Sequence, residues 1–281
     1  MPHTTGEKRR ILGSIPVGRW SERHTHHCGY WPRREGEDTR CAVNIEKGRS
    51  PQNLFLVSLS SSDLAVLQPS LIATELKQGT LLHEAGEPIT SVYFPSSGMI
   101  SLLAVMEDGT AIETATVGRQ SVVGAMTGVG SNFASTRAVV QLAGKGLKIS
   151  APLFQSAVSR SPGLRDLIIR HKEGLLIQVQ YTAACNSLHT VEARFCRWIL
   201  QSRDHADSDE ILLTQEFLAD MLGVRRTTVT LVARTLQAAG FIGYHRGHIK
   251  ILDRAGLEHA SCECYRSIHH KMDQIFPKQA G

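Results

Sequence analysis

No stretch of this 281-residue chain stays apolar for the roughly 18 residues that a bilayer crossing needs, and no apolar core follows the charges at the amino terminus. Neither a membrane span nor a secretory leader is expected, which points to a cytoplasmic protein. Cysteine is sparse: Cys28, Cys41, Cys185, Cys196, Cys262 and Cys264 are too scattered for a disulfide framework, and a reducing compartment would keep them as thiols. The sequence also lacks G-x-S-x-G, Walker A, H-E-x-x-H and paired zinc-knuckle spacings, so no catalytic residues are assigned and an enzyme is not expected. One local absence is more telling. Between Arg225 and Gln237 there is no acidic residue.

That acid-free stretch lies inside a pattern of two short helices joined at a tight corner. Leu218, Met221 and Leu222, then Val229, Val232, Ala233 and Leu236, recur at three- and four-residue intervals and give each helix one inward face. Gly223 between them supplies the left-handed backbone position that so short a connection requires. Ala219, four residues earlier, lets the helices approach. This is the layout of a helix-turn-helix reader of DNA. The outward face of the second helix then carries Arg226, Thr227, Thr230, Leu231 and Arg234. A major groove offers guanine acceptors, thymine methyls and phosphate rims, which suits these side chains. Base contacts are assigned to Arg226, Thr227, Thr230 and Leu231. Phosphate contacts go to Arg225 and Arg234, and to Thr214 and Gln215 at the start of the first helix, where Thr214 is the expected cap.

After Gly240, residues 241–252 alternate as two short strands, Ile242 and Tyr244 mirroring Ile249 and Ile251 across Arg246-Gly247. A hairpin here forms a wing, and Arg246 and Lys250 are placed on the phosphate backbone. The net charge of +5 contributes little to this surface directly, because residues 1–52 hold ten basic and six acidic groups and so account for +4 of it. Local charge at Arg225, Arg226 and Arg234 must do the reading. Residues 1–52 are expected to be a disordered basic tail, or to precede a native start nearer position 50. The group His24, His26, His27 and Cys28 falls there and is attributed to composition rather than to metal binding.

From Asn53 to residue 160 glycines punctuate short apolar runs, read as strands over 80–83, 91–94, 99–105, 110–117, 137–143 and 147–150. Such spacing implies an antiparallel sandwich or roll. Ser161-Pro162 then opens the longest helical signal, whose apolar residues cover more than one stripe, as expected of a helix buried against its own domain and a second chain. The resulting division is a sensor domain over 53–160, a dimerisation helix over 161–186, and a reader domain with a C-terminal extension over 187–281. The fold class is α+β. A second helix capped by Thr190 leads to a polar linker over 204–210.

The strings YFPSSGMISLL (93–103), TQEFLADMLGVRRTTV (214–229) and GYHRGHIKILDRAGLE (243–258) carry a resemblance to the Crp/Fnr family of transcription regulators, over about residues 53–255. The resemblance implies a homodimer on a palindromic operator of double-stranded DNA, RNA polymerase as a further partner, and a β-roll that senses an effector. By it Arg226 matches a guanine-reading arginine, while Thr227 stands where an acid is common and Leu231 where another arginine contact is common. Arg225 replaces the usual serine cap. The operator should therefore differ from that of the cyclic-AMP-responsive members.

Those members carry Gly-Glu-Leu for the ribose and, about ten residues on, Arg-Ser for the cyclic phosphate. Here Gly124-Ala125 lacks the acid, Ser135 takes the arginine position, and Arg137 lies two residues on. Gly124, Ala125, Ser135 and Arg137 define a degenerate pocket, so a cyclic nucleotide is not expected and no cofactor is assigned; the small-molecule effector is unknown. His259, Cys262, Cys264, His269 and His270 form a dense C-terminal group that could bind metal or answer to oxidation, but buried thiols and solvated histidines are the preferred reading. Cys185 and Cys196 read as packing residues. The alternative function is a cyclic-nucleotide, metal or redox sensor acting through protein partners rather than DNA.

Overall fold

The computed structural model describes residues 53–206 and 208–275. The expected tail over 1–52 lies outside the described residues. Asn53 begins the fold as a buried anchor. Its side-chain oxygen accepts from Leu56 N while Nδ2 donates to the carbonyls of Pro95 and Ser121, each at 2.8 Å. Two short helices follow, α1 (Leu54–Val57) and α2 (Ser61–Leu67).

Seven antiparallel strands then build the roll: β1 (Ile72–Leu76), β2 (Leu81–His83), β3 (Ser91–Pro95), β4 (Met99–Val105), β5 (Ala111–Val117), β6 (Arg137–Leu142) and β7 (Gly144–Ser150). They form two sheets, ordered β1-β7-β3 and β2-β6-β4-β5. Val92, Phe94 and Ile149 point to an interior completed by Phe55, Phe154, Leu164, Leu167 and Ile168. β1 was not anticipated, because only Leu76 of its five residues is buried and backbone pairing with β7 defines it. Helix α3 (Ala151–Arg160) was also missed, its Pro152 sitting in the first turn, where proline is tolerated.

Helix α4 (Pro162–Leu188) has 27 residues and is about 40 Å long. Ser161 caps it, its hydroxyl accepting from Leu164 N at 3.1 Å. It runs two residues beyond the expected limit of 186 and stops at His189. Helix α5 (Val191–His205) starts at once, with Thr190 as its cap.

The stretch expected to be a linker over 204–210 is shorter. Its end is strand β8 (Glu210–Leu212), which pairs with the wing. The reader domain continues with α6 (Gln215–Leu222), α7 (Arg226–Ala238), β9 (Ile242–His245) and β10 (His248–Ile251), in a sheet ordered β8-β10-β9. Helices α8 (Arg254–Ala260) and α9 (Cys264–Ile275) close the described chain. Helix α9 folds back onto α4. Asp204 at the end of α5 holds this return, accepting from Tyr265 at 2.6 Å and from Arg254 at 2.9 Å, with His269 at 3.3 Å. Those partners outweigh burial and hold its carboxyl down at about 2.

Candidate DNA-reading surface and sensor site

The corner of the helix pair forms as its sequence requires. Gly223 caps α6 at φ +62°, in the left-handed region, and its amide reaches the carbonyl of Asp220. Thr214 accepts from Phe217 N at 3.2 Å and so caps α6 at the other end. Val229, Val232, Ala233 and Leu236 are all buried in a core shared with Leu218, Leu222, Ile242 and Ile249. Burying a side chain of Val or Leu size contributes about 1.5–3 kcal/mol, so this face fixes which side of α7 is left to solvent.

On that solvent side Arg226, Thr227, Leu231 and Arg234 are exposed, Leu231 at 67%. Thr230 is different. It is half-buried, and its hydroxyl is shared between Gln215 Oε1 at 2.8 Å and the carbonyl of Arg226 at 3.0 Å. Thr230 and Gln215 thus tie α7 to α6. Arg225 occupies the cap position of α7 with no side-chain hydrogen bond to the helix end, so the first amide groups of α7 open beside two exposed guanidinium groups. In the wing, Arg246 (φ +48°) and Gly247 (φ +84°) make the turn, and Arg246 and Lys250 are exposed. Tyr244 pairs with Ile249 and Ile242 with Ile251, in the expected register.

The reader rests on its own roll. Ile112 of β5 lies 3.2 Å from where a Cβ on Gly223 would sit. Arg194 Nη2 of α5 donates to the carbonyl of Leu222 at 2.5 Å. Between the two domains Glu113 of β5 is buried, accepting from Ser101 Oγ at 2.5 Å and from Trp198 Nε1 at 2.9 Å. Burial pushes its carboxyl up to about 7, against those two bonds and the charge of Arg197. Sequence reading missed Glu113, since one acid in an alternating strand gives no sign of what faces it.

In the roll, Gly124 adopts φ +83°, and a Cβ there would fall 2.7 Å from the His83 ring. Ala125 is buried and Ser135 exposed. Arg137 does not point a free cation into the pocket. Its Nε lies 3.0 Å from both carboxylate oxygens of Glu84, which holds the Glu84 carboxyl below its usual range. A cyclic nucleotide needs a carboxylate for its ribose and a cation for its phosphate. With Ala125 in place of the acid, the guanidinium committed to Glu84, and His83 filling the space against Gly124, the residues present do not fit that ligand. A cavity of about 30 Å³ lies elsewhere, among Gln178 of α4, His205 of α5 and Ile268 of α9. It has room for a water or two.

The two thiols of the C-terminal group are buried, and its histidines do not gather around them. His259 is exposed, His269 faces Asp204, and His270 lies 3.1 Å from Gln274. Cys262 and Cys264 instead meet Cys185 and His189, the end of α4, with all four donor atoms within 4.8 Å of one another. Cys185 is fully buried, as a packing residue would be, and faces these two thiols. The hydrogen bond from Cys262 draws its thiol well below the ordinary value, against burial and with help from Arg197. Cys196 stands apart, and burial pushes its thiol up to about 12.

A roll, a long helix and a winged helix-turn-helix in that order define a DNA-binding transcription regulator with an amino-terminal sensor fold. The chain matches the cyclic nucleotide-binding domain over residues 73–161 and the Crp-like helix-turn-helix domain over residues 193–260. By these two domains in succession, the chain belongs to the Crp/Fnr family of transcription regulators. Solved structures of similar fold include FixK2 from Bradyrhizobium japonicum, at 16% identity and a TM-score of 0.58, covering 68% of this chain and 98% of that one. A CRP/FNR-family regulator from Thermus thermophilus matches at 20% identity and a TM-score of 0.55, covering 68% and 98%. CLP from Xanthomonas campestris, described as a c-di-GMP responsive global regulator, matches at 18% identity and 0.54, covering 68% and 99%. No curated protein matches the chain. Among the described residues no helix is long and apolar enough to cross a membrane.

Proposed function

We propose that the protein acts as a homodimer on a palindromic operator, reading bases with Arg226, Thr227 and Leu231 and holding phosphates with Arg225, Arg234, Arg246 and Lys250. The observation that carries this reading is the outer face of α7, which is exposed, cationic and acid-free above a fully buried inner face. Thr230 and Gln215 serve mainly to fix the angle between α6 and α7. Thr214 and the open start of α6 add a phosphate anchor.

Dimerisation is assigned to α4. Ile169, Lys172, Leu176, Val179 and Ala183 are spaced alternately three and four residues apart and are exposed, with Ile169 and Leu176 just over half accessible. That is a coiled-coil seam, on the side of the helix away from the roll and α9. Pairing two copies along it makes a two-fold symmetric pair of readers. RNA polymerase is the expected downstream partner. Whatever biases the sensor, its chemistry differs from that of a cyclic nucleotide held by a carboxylate and a free arginine.

Selection of random duplexes by the full chain tests the reading. It should enrich two inverted half-sites with centres about one helical turn apart. Enrichment of no sequence, by protein that sediments as a dimer, would overturn it.

A further inference from the structure

We propose that Cys185, His189, Cys262 and Cys264 bind one Zn²⁺ ion, which fastens the joint between α4 and the reader domain. The proposal goes beyond the DNA-reading assignment and does not depend on it. The four donors come from two segments far apart in the chain. Cys185 lies in the last turn of α4 and His189 caps it, while Cys262 precedes α9 and Cys264 begins it.

Their spacing suits a tetrahedral ion. Zinc–sulfur bonds of about 2.3 Å and zinc–nitrogen bonds of about 2.0–2.1 Å put sulfurs about 3.8 Å apart and sulfur about 3.6 Å from nitrogen. Cys185 Sγ is 3.5 Å from Cys262 Sγ, and Cys264 Sγ is 3.6 Å from His189 Nδ1. All four donors fall within 4.8 Å of one another, so a small contraction completes the shell.

Two surrounding features point to a metal rather than to packed thiols. His189 turns its other nitrogen, Nε2, toward the carboxylate of Glu263 at 3.5 Å, the arrangement that orients a metal-binding imidazole and raises its basicity. The charge balance also fits. Three thiolates and one Zn²⁺ leave a net charge of −1. Buried Arg194 and Arg197 lie close enough to interact with these sulfurs, and neither has a carboxylate within ion-pair distance among the described residues. The Nε of each has no hydrogen-bond partner. Cys185, Cys262 and Cys264 are all buried, so the site is closed and four-coordinate, with no open position for substrate.

The location supplies the consequence. Only His189 and Thr190 separate α4 from α5. An ion holding His189 and Cys185 to the α8–α9 connection fixes the direction in which the reader leaves the long helix. Binding releases the thiol protons to solvent and involves no redox step.

Full-length protein purified without chelator should contain about one zinc per chain by elemental analysis. After chelation, added Co²⁺ should give the visible ligand-field bands and the thiolate charge-transfer band of a tetrahedral sulfur site. Cys262→Ser and Cys264→Ser should each lose most of the zinc, and Cys196→Ser should keep it. Wild-type protein that carries no zinc and gives no such Co²⁺ spectrum overturns the site, as does a Cys185–Cys262 disulfide found in reduced-cell extracts. The fastening is read by hydrogen exchange at residues 186–192, which should speed up about tenfold or more when zinc is removed. Full zinc occupancy with unchanged exchange overturns that half.

Discussion

Glu113 allows the contact between sensor and reader to be tested through a single proton. Its carboxyl is raised from 4.5 to about 7 by burial between β5 and α5. The folded protein therefore holds this proton more tightly than the unfolded chain. Stability from this residue is complete below pH 4.5 and is lost as pH rises to about 7, a span worth about 3 kcal/mol. Glu113→Gln removes the titration while keeping the shape. The amide oxygen still accepts from Trp198 Nε1, and the amide nitrogen can donate to Ser101 Oγ, which reverses its own bond. Urea denaturation from pH 4 to 8 should give nearly equal stability for the two proteins at the acid end and a variant more stable by up to about 3 kcal/mol at the alkaline end. Other titrating groups cancel in the difference. Parallel profiles for wild type and variant would show that the carboxyl is not paying for its burial, and the account of this joint would fail.

The histidines bend the same profile the other way. His171 and His205 are buried and pushed down to about 4 by burial, so their contribution is complete above pH 6.5 and falls away as pH drops toward 4; His171→Gln should flatten that acid limb by about 3 kcal/mol or less in the same denaturation series. At the α4 seam, Leu176→Asp should shift sedimentation from dimer to monomer at micromolar concentration, because it sets two carboxylates facing each other in an apolar stripe; a dimer of unchanged affinity would move the interface off α4. Arg226→Ala should weaken binding at its own base pair by about 1–3 kcal/mol and relax selectivity there, as read by competition among half-site variants, and unaltered selectivity would remove the base contact. Replacing Arg246 or Lys250 by Ala should lower the slope of log affinity against log salt by about one each without altering sequence preference; slopes unchanged for both would take the wing off the phosphates.

The reader was legible in the sequence because its constraints are local. Helical spacing from Leu218 to Leu236, one glycine at the corner, and the mirrored apolar residues about Arg246-Gly247 each act within a few residues. The long helix announced itself through Ser161-Pro162 and its broad apolar surface. Strand β8 was hidden because Glu210-Ile211-Leu212 is too short to alternate and becomes a strand only by pairing with β10. Helical phase puts Thr230 outward, but nothing local shows that Gln215, fifteen residues back, also reaches its hydroxyl. The sulfur group was half-visible. Cys262 and Cys264 drew notice as neighbours, but Cys185 and His189 join them only through the fold-back of α9 onto α4. Arg137 was correctly located on β6, while its capture by Glu84 depends on the β2–β6 pairing.

Gly223 turns the corner of the reading motif, and a Cβ at that point would lie 3.2 Å from Ile112 on the sensor. A side chain of the sensor therefore packs beside the corner that joins α6 to α7. In the proposed dimer, Ile112→Ala should change the preferred spacing between half-sites more than the sequence within them, as read by selection of random duplexes. Under the proposed reading, half-site spacing and half-site sequence then rest on different residues, Ile112 beside the corner and Arg226, Thr227 and Leu231 on α7.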